Sequence, residues 1–193
     1  MPRPMSVSES GLDRLRAARG RMEARARLNA GIREFFVGRG YLEVTTPVRV
    51  PVPALELHID AHPSGPAFLR TSPELALKRM LAAGYERIFE MGPCFRWGET
   101  GRIHNDEFTL LEWYRAGTDY EGILAETREL IPFLAERVGV GPCSSFHGGM
   151  LDWTAPWADY EVGPLFREQA GWDPVESFDQ IGRASCRERV CYV

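Results

Sequence analysis

The sequence predicts an α+β fold, in which an antiparallel β-sheet is flanked by helices. Helical periodicity and helix-capping residues mark several helices, and short segments of strand-like composition lie between them. The chain between successive strands is too short for regular βαβ crossovers. The longest strand feature reads as a hairpin with a polar loop. We therefore expect antiparallel pairing.

The first half of the chain is predicted to hold one amphipathic helix followed by strands. Residues 21–39 carry apolar side chains at helical spacing, and Gly40 is the predicted stop. The apolar positions are Leu28, Ile32, Phe35 and Phe36. Strands are predicted at residues 41–46, 55–59 and 68–70, the first of them ended by Pro47.

The second half opens on Ser72-Pro73-Glu74, which combines a hydroxyl N-cap, a proline at the first helical position and a carboxylate in the first turn. That helix is predicted to run to about residue 83. Strands are predicted at residues 87–91, 94–96 and 107–115, with a polar loop at 97–106. Thr118 and Glu121 indicate a capping box for a helix to about residue 137, and a short helix is expected near 160–169.

Composition bounds the class of protein. A chain of 193 residues with 44% hydrophobic content can bury one core. The net charge of -4, with both signs interspersed, shows no basic patch of the kind that nucleic-acid binders carry. No apolar run has the length of a signal peptide or a membrane span, so we expect a cytoplasmic protein. The four cysteines have neither CxxC nor metal-ligand spacing, which predicts no metal site and no disulfide framework.

The predicted hairpin concentrates opposite charges on one ribbon. Alternate side chains of a strand share a face, so Phe108, Glu112 and Tyr114 point the same way. A carboxylate in the middle of a sheet face is costly unless a cation meets it. The cation could be an internal arginine, Arg96 or Arg70, or the amine of a ligand. Arg96 could equally pair with a carboxylate of the hairpin or grip a phosphate.

Three segments in order carry a family resemblance. IREFFVGRGYLEVTTP, TSPELALKRML and FR…GETGRIHNDEFTLLEWYR resemble motif 1, the substrate helix and motif 2 of class II aminoacyl-tRNA synthetases of the lysyl type, over about residues 21–138. The greatest likeness is to the short paralogues that attach lysine or β-lysine to translation elongation factor P. Two features point to these paralogues. The sequence LLEWYR, with GR before the histidine, is typical of them. In addition, only about 20 residues precede the first catalytic helix, and an anticodon-binding domain would need more chain.

The resemblance implies a class II synthetase-like fold and a set of site residues. Arg96 would be catalytic and contact the α-phosphate of ATP. The residues implied at the ATP site are Arg96, Glu99, Arg102, His104, Asn105 and Phe108. Glu74, Glu112 and Tyr114 would receive the ammonium groups of the amino acid. Mg²⁺ is implied together with ATP, and no residue of this sequence is expected to bind it, because the late carboxylates that help bind it in the family are missing here.

The resemblance also implies a reaction and its partners. The substrate carboxylate would attack the α-phosphorus of ATP, and the aminoacyl-adenylate would pass its acyl group to a lysine of elongation factor P. A homodimer through motif 1 is also implied. Exposure of Phe35 and Phe36 on the surface would fit such a dimer, and ordinary burial in the core explains these two residues equally well. No tRNA and no membrane partner are expected. A lysyl-tRNA synthetase fragment and a non-catalytic synthetase-like module are the alternatives.

Two departures from the family pattern affect these expectations. Gly98 stands where motif 2 has a glutamate, with Glu99 next to it, which favours the non-catalytic alternative unless Glu99 takes over the contact. The sequence also ends before any motif 3, so we expect this chain to be inactive in isolation.

The last 13 residues differ in composition from the rest. IGRASCRERV, residues 181–190, resembles one reading frame of a common sequencing adapter, and a native disordered tail is the alternative. We therefore expect a disordered leader at residues 1–20, a partial catalytic domain at 21–180 and a non-native tail at 181–193.

Overall fold

The computed structural model describes residues 9–54 and 56–174. Its helices and strands confirm the predicted α+β fold. Their order is α1 (Glu9–Gly38), β1 (Leu42–Glu43), β2 (Arg49–Val50), β3 (Pro63–Ser64), β4 (Ala67–Leu69), α2 (Glu74–Ala82), β5 (Arg87–Phe95), β6 (Glu107–Arg115), α3 (Tyr120–Val138), β7 (Cys143–Phe146), β8 (Gly149–Asp152) and α4 (Val162–Ala170). One compact unit ends at Thr154, and a second begins at Ala155. The predicted tail at 181–193 lies outside the described residues.

Helix α1 begins at Glu9, twelve residues before the predicted start at residue 21. Residues 9–20 are therefore helical rather than a disordered leader, and residues 1–8 lie outside the described part. Ion pairs between Asp13 and Arg16 and between Arg19 and Glu23 lie along this exposed stretch. The sequence did not show the helix here because no buried apolar stripe marks it.

The end of α1 confirms Gly40 as its stop. Gly40 has a φ of 77°, the left-handed conformation that favours glycine. Its N–H donates to the carbonyl of Val37, and the N–H of Tyr41 donates to the carbonyl of Phe36, both at 3.0 Å. The rings of Phe36 and Tyr41 lie 5.2 Å apart. This is a Schellman motif with its usual apolar contact.

The main sheet has the order β1-β5-β6. Strands β5 and β6 pair antiparallel along their whole length, from Arg87 opposite Arg115 to Phe95 opposite Glu107, as the hairpin prediction required. Strand β5 is continuous, whereas a break was predicted after Met91. Strand β1 pairs parallel to β5, so the sheet is mixed. A parallel pair is possible here because the chain between β1 and β5 includes α2 and is long enough for a crossover.

Two smaller antiparallel sheets complete the first unit, β2-β4-β3 and β7-β8. Strand β4 confirms the strand predicted at 68–70 to within one residue. The strand predicted at 55–59 is wrong, because Leu57 and His58 form a turn and Leu57 is 91% exposed; Leu55 lies outside the described residues. The β7-β8 hairpin was not predicted. Its turn places His147 and Gly148 at positive φ, which suits a two-residue hairpin loop.

The core lies between one face of the main sheet and helices α1 and α3. Phe35 and Phe36 are 1% and 0% exposed, and Phe36 stacks on Phe89 of β5 at 5.0 Å. The other buried members are Ile32, Tyr41, Leu130 and Leu134. Phe35 and Phe36 are thus core residues of this chain, and the reading of them as exposed apolar surface is wrong.

The helix starts follow the predicted chemistry with two adjustments. Ser72 accepts a hydrogen bond from the N–H of Glu74 at 3.0 Å, although α2 itself begins one residue later than predicted. Asp119, not Thr118, caps α3 by accepting from the N–H of Gly122 at 3.1 Å. The hydroxyl of Thr118 instead accepts a hydrogen bond from Arg115.

The second unit contains α4, which agrees with the short helix predicted at 160–169. Arg167 of this helix pairs with Asp173, and Phe166 contacts Trp172 edge to face at 5.4 Å. Across the described ranges of both units, none of the helices combines the length and apolar character that crossing a bilayer requires.

Candidate functional site

The β5-β6 hairpin has two faces of different character. Met91, Leu111 and Trp113 pack against the core with the helices. The cross-strand register places Glu90 opposite Glu112 and Cys94 opposite Phe108 on the other face. The sequence-predicted grouping of Phe108, Glu112 and Tyr114 on one face is therefore confirmed. It is the face turned away from α1 and α3.

Glu112 is held by two neutral hydroxyl groups. Ser72 donates to its Oε1 at 2.5 Å, and Tyr114 donates to its Oε2 at 3.1 Å. Burial, together with the negative charges of Glu112 and Glu74, raises the pKa of Tyr114, so the phenol keeps its proton. Throughout the described ranges, no arginine, lysine or histidine forms an ion pair with Glu112. The prediction that Arg70 or Arg96 is the internal cationic partner of Glu112 is therefore wrong for both arginines.

Arg70 is unavailable because it belongs to a different carboxylate. Its Nη1 lies 2.5 Å from Oε1 of Glu90, and the two side chains are only 3% and 2% exposed. Thr46 completes the cluster, since its hydroxyl donates to Glu90 at 2.7 Å and accepts from Arg70 at 2.8 Å. Gly92 makes room for it, because a Cβ there would lie 2.5 Å from Nη2 of Arg70. This buried pair leaves Glu112 as the uncompensated member of the Glu90-Glu112 cross-strand pair.

Sequence reasoning missed Glu90. A signal was present, because Glu90 lies in the predicted strand at 87–91 between apolar residues, as Glu112 does in its own strand. The argument that a mid-strand carboxylate needs a cation therefore applied to both residues. Only the three-dimensional arrangement shows which of the two carboxylates Arg70 neutralises.

Arg96 occupies the loop end of the same face. Its guanidinium carbon lies 5.1 Å from the ring centroid of Phe108, and its Nη1 lies 3.7 Å from Oε2 of Glu99. Gly98 adopts a φ of 76°, a left-handed turn between Arg96 and Glu99. The Nε of Arg96 is buried and has no hydrogen-bond partner within residues 9–54 and 56–174. A buried donor in this state is suited to an acceptor supplied from outside the chain, such as a phosphate oxygen.

The loop after Arg96 is closed by its own hydrogen bonds. The N–H of Arg96 donates to the carbonyl of Asp106 at 2.9 Å, the Asp106 carboxylate accepts from Thr100, and the N–H of Gly101 donates to the carbonyl of His104 at 3.1 Å. Arg102, His104 and Asn105 are exposed. The structure places these three residues in the loop beside Arg96 but does not bring their side chains onto the Arg96-Phe108 stack.

Glu74 joins the Glu112 end of the face through Ser72. Its backbone N–H donates to the Ser72 hydroxyl, and its charge acts on Tyr114. Its carboxylate pairs with Lys78 one turn along α2. Glu74, Glu112 and Tyr114 are thus brought together as predicted. Ser72 is a further member of this group that sequence reasoning recognised only as a helix cap.

Comparison with known proteins gives the chain a family. Residues 11–174 match the family described as tRNA synthetases class II (D, K and N). The chain is 34% identical over 170 residues to a lysine–tRNA ligase of Methanoculleus marisnigri, covering 85% of this chain and 34% of that protein.

Relatives of a second kind are named elongation factor P–(R)-β-lysine ligase. The one from Vibrio vulnificus is 41% identical over 123 residues, covering 58% of this chain and 38% of that protein. The one from Pseudoalteromonas translucida is 33% identical over 178 residues, covering 86% of this chain and 50% of that protein. The chain thus spans about a third to a half of the length of these relatives.

Both kinds of relative are ligases that act on lysine or β-lysine by name, so the comparisons do not support the expectation that tRNA is no partner. They do agree with the lysyl-type resemblance of the three sequence motifs. The match over residues 11–174 covers most of the chain. On these grounds the chain belongs to the class II tRNA synthetases of the D, K and N group.

Proposed function

We propose that this chain is part of a ligase that activates lysine or β-lysine with ATP and transfers it to a lysine of translation elongation factor P. The observation that carries the proposal is that one face of the hairpin holds both a carboxylate that lacks a cationic partner and an arginine N–H that lacks an acceptor within the described part of the chain. Among the residues that the structure describes, Glu112 offers a carboxylate without a cation, and Arg96 offers a buried donor without an acceptor. An amino acid that carries ammonium groups and a nucleotide phosphate supply the two missing partners.

The amino-acid end is supported by its charge. Ser72 and Tyr114 orient Glu112 without neutralising it, so the carboxylate keeps its full charge for an ammonium group. Glu74 adds a second carboxylate close by, although Lys78 shares it. A substrate with two ammonium groups fits this arrangement better than a substrate with one.

The nucleotide end is supported by the Arg96-Phe108 stack. A planar guanidinium with a free N–H can grip the α-phosphate, and the Phe108 ring beside it can stack on adenine. Glu99 lies beside Arg96, which supports the proposal that it takes the role of the motif 2 glutamate in place of Gly98. The exposed loop residues Arg102, His104 and Asn105 would contact the outer phosphates.

The proposed reaction needs no protein nucleophile. The amino-acid carboxylate attacks the α-phosphorus in line and pyrophosphate leaves; the adenylate then passes its acyl group to an amine and releases AMP. In the described ranges, no group of three or more His, Cys, Asp or Glu side chains is placed to hold a metal ion. Mg²⁺ would be bound with the ATP phosphates, and no step of the proposed reaction depends on a protein site for it.

The transfer partner is tested with the complete gene product, because the chain spans only part of its relatives. Purified elongation factor P and lysine tRNA are each incubated with ATP and radiolabelled lysine or β-lysine. We expect the label on elongation factor P. Label on tRNA alone would favour the second candidate, a lysyl-tRNA ligase. This candidate is supported by the similarity to the lysine–tRNA ligase of Methanoculleus marisnigri. Absence of ATP binding would favour a non-catalytic module. A homodimer and a cytoplasmic location remain part of the proposal.

Replacing Arg96 with glutamine is expected to weaken ATP binding about tenfold, because one charge-assisted hydrogen bond to phosphate is lost. Isothermal titration of ATP into the chain measures the change. Arg49→Met is the control, since Arg49 is exposed and, in the described part of the chain, donates only to the carbonyl of Ser64. Equal affinities for the Arg96→Gln and Arg49→Met variants would remove Arg96 from the nucleotide site.

A further inference from the structure

Ser72 has two hydrogen bonds that fix the direction of its hydroxyl. Its oxygen accepts from the N–H of Glu74 at 3.0 Å, and its proton goes to Oε1 of Glu112 at 2.5 Å. A hydroxyl has one proton to donate. Because a backbone N–H approaches the oxygen, the proton is directed at the carboxylate. The half-buried Ser72 is flanked by the buried residues Thr71 and Pro73, which hold it in place.

We infer that Ser72 is a positioning residue that orients the Glu112 carboxylate for the substrate ammonium, in addition to accepting the N–H of Glu74 at the start of α2. The inference rests on the proposed function and names a residue that the family resemblance did not assign. Glu112 has about four lone-pair sites, and Ser72 and Tyr114 use two of them. No other described residue donates to Glu112, which leaves the remaining sites for the hydrogens of an ammonium group. Neutral donors fix the orientation of the carboxylate and leave its charge in place.

The consequence is a link between helix α2 and strand β6. The Ser72 hydroxyl joins the first turn of α2, which carries Glu74, to the strand that carries Glu112 and Tyr114. The backbone at Glu74 is therefore tied to the Glu112 carboxylate through one hydroxyl group. If Ser72 acted only at the start of α2, replacing it would lower the stability of the protein but would not change its affinity for lysine.

The test compares Ser72→Ala and Ser72→Thr in the complete chain. Titration with lysine and with ATP measures both affinities. We expect Ser72→Ala to bind lysine at least about tenfold more weakly, because a hydrogen bond to a charged group is lost. ATP affinity should not change, and Ser72→Thr, which keeps a hydroxyl, should retain most of the lysine affinity.

Asp119→Ala is the matched control for the loss of a helix cap. Asp119 accepts a hydrogen bond from a backbone N–H at the start of α3, as Ser72 does at the start of α2, and the side chain of Asp119 is exposed. Both alanine variants should lower the urea midpoint, but only Ser72→Ala should weaken lysine binding. Unchanged lysine affinity in Ser72→Ala, with the unaltered chain binding lysine, would overturn the inference and leave the proposed function standing.

A second measurement applies even if the unaltered chain binds no lysine, a result that would contradict the proposed function itself. Urea midpoints are compared for Ser72→Ala, Glu112→Ala and the double variant. If Ser72 holds Glu112, the change at Ser72 lowers the midpoint more when Glu112 is present than when it is absent. Equal shifts in the two backgrounds would show that Ser72 acts only as a cap and would overturn the inference.

Discussion

Arg70→Met is expected to lower the free energy of unfolding by about 3–5 kcal/mol, because it leaves the Glu90 carboxylate buried without its cation. A loss of this size is a large part of the stability of a small domain. The contacts that disappear include the hydrogen bonds from Arg70 to Thr46 and to the carbonyl of Pro93. Urea denaturation followed by circular dichroism measures the change.

Two controls make the Arg70 result specific. The double variant Arg70→Met/Glu90→Gln removes the buried charge while an amide oxygen can still accept from Thr46, so it should recover a large share of the lost stability. Arg49→Met, an exposed position, should change the free energy of unfolding by less than about 0.5 kcal/mol. Equal losses for Arg70→Met and Arg49→Met would show that the buried pair does not stabilise the fold.

Glu112→Gln is expected to weaken lysine binding by about 2–5 kcal/mol, because the substrate ammonium loses its charged partner in a half-buried site. Among the described residues no arginine or lysine neutralises Glu112, so its charge is available to the ligand. Glutamine keeps the size of the side chain and removes the charge. Titration of lysine into the variant measures the loss, with ATP affinity expected to stay the same.

Glu107→Gln is the matched control for Glu112→Gln. Both residues lie on β6, but Glu107 is exposed and points to the opposite face. We expect the Glu107→Gln variant to bind lysine with the same affinity as the unaltered chain. If the Glu112→Gln variant binds lysine as well as the Glu107→Gln variant does, Glu112 does not receive the ammonium group.

Local patterns predicted most of the secondary structure. The Gly40 stop, the Ser72-Pro73-Glu74 start and the β6 strand depend on backbone conformation and on residues a few positions apart, and the structure confirms them within one residue. The errors occurred where such signals are weak or misleading. Residues 9–20 lack an apolar stripe, the predicted strand at 55–59 has strand-like composition although Leu57 and His58 form a turn, and Asp119 rather than its neighbour Thr118 caps α3.

The candidate site was predictable in part because strand alternation places Phe108, Glu112 and Tyr114 on one face whatever the rest of the chain does. The resemblance then supplied the proposed roles. Alternation cannot say which partner meets each side chain. Ser72 and Glu112 are 40 positions apart in sequence, and no local pattern joins them.

The sequence by itself determined the helices that carry strong capping signals, the strands of the hairpin and the face on which each of their side chains lies, because these depend on short-range geometry. Only the tertiary structure decided that Arg70 neutralises Glu90 and that neutral hydroxyls hold Glu112. The physical reason is that the partner of a buried charge is the group that lies near it in the folded protein, whatever their separation in sequence. Chain segments far apart in sequence meet there only after the sheet and α2 have packed.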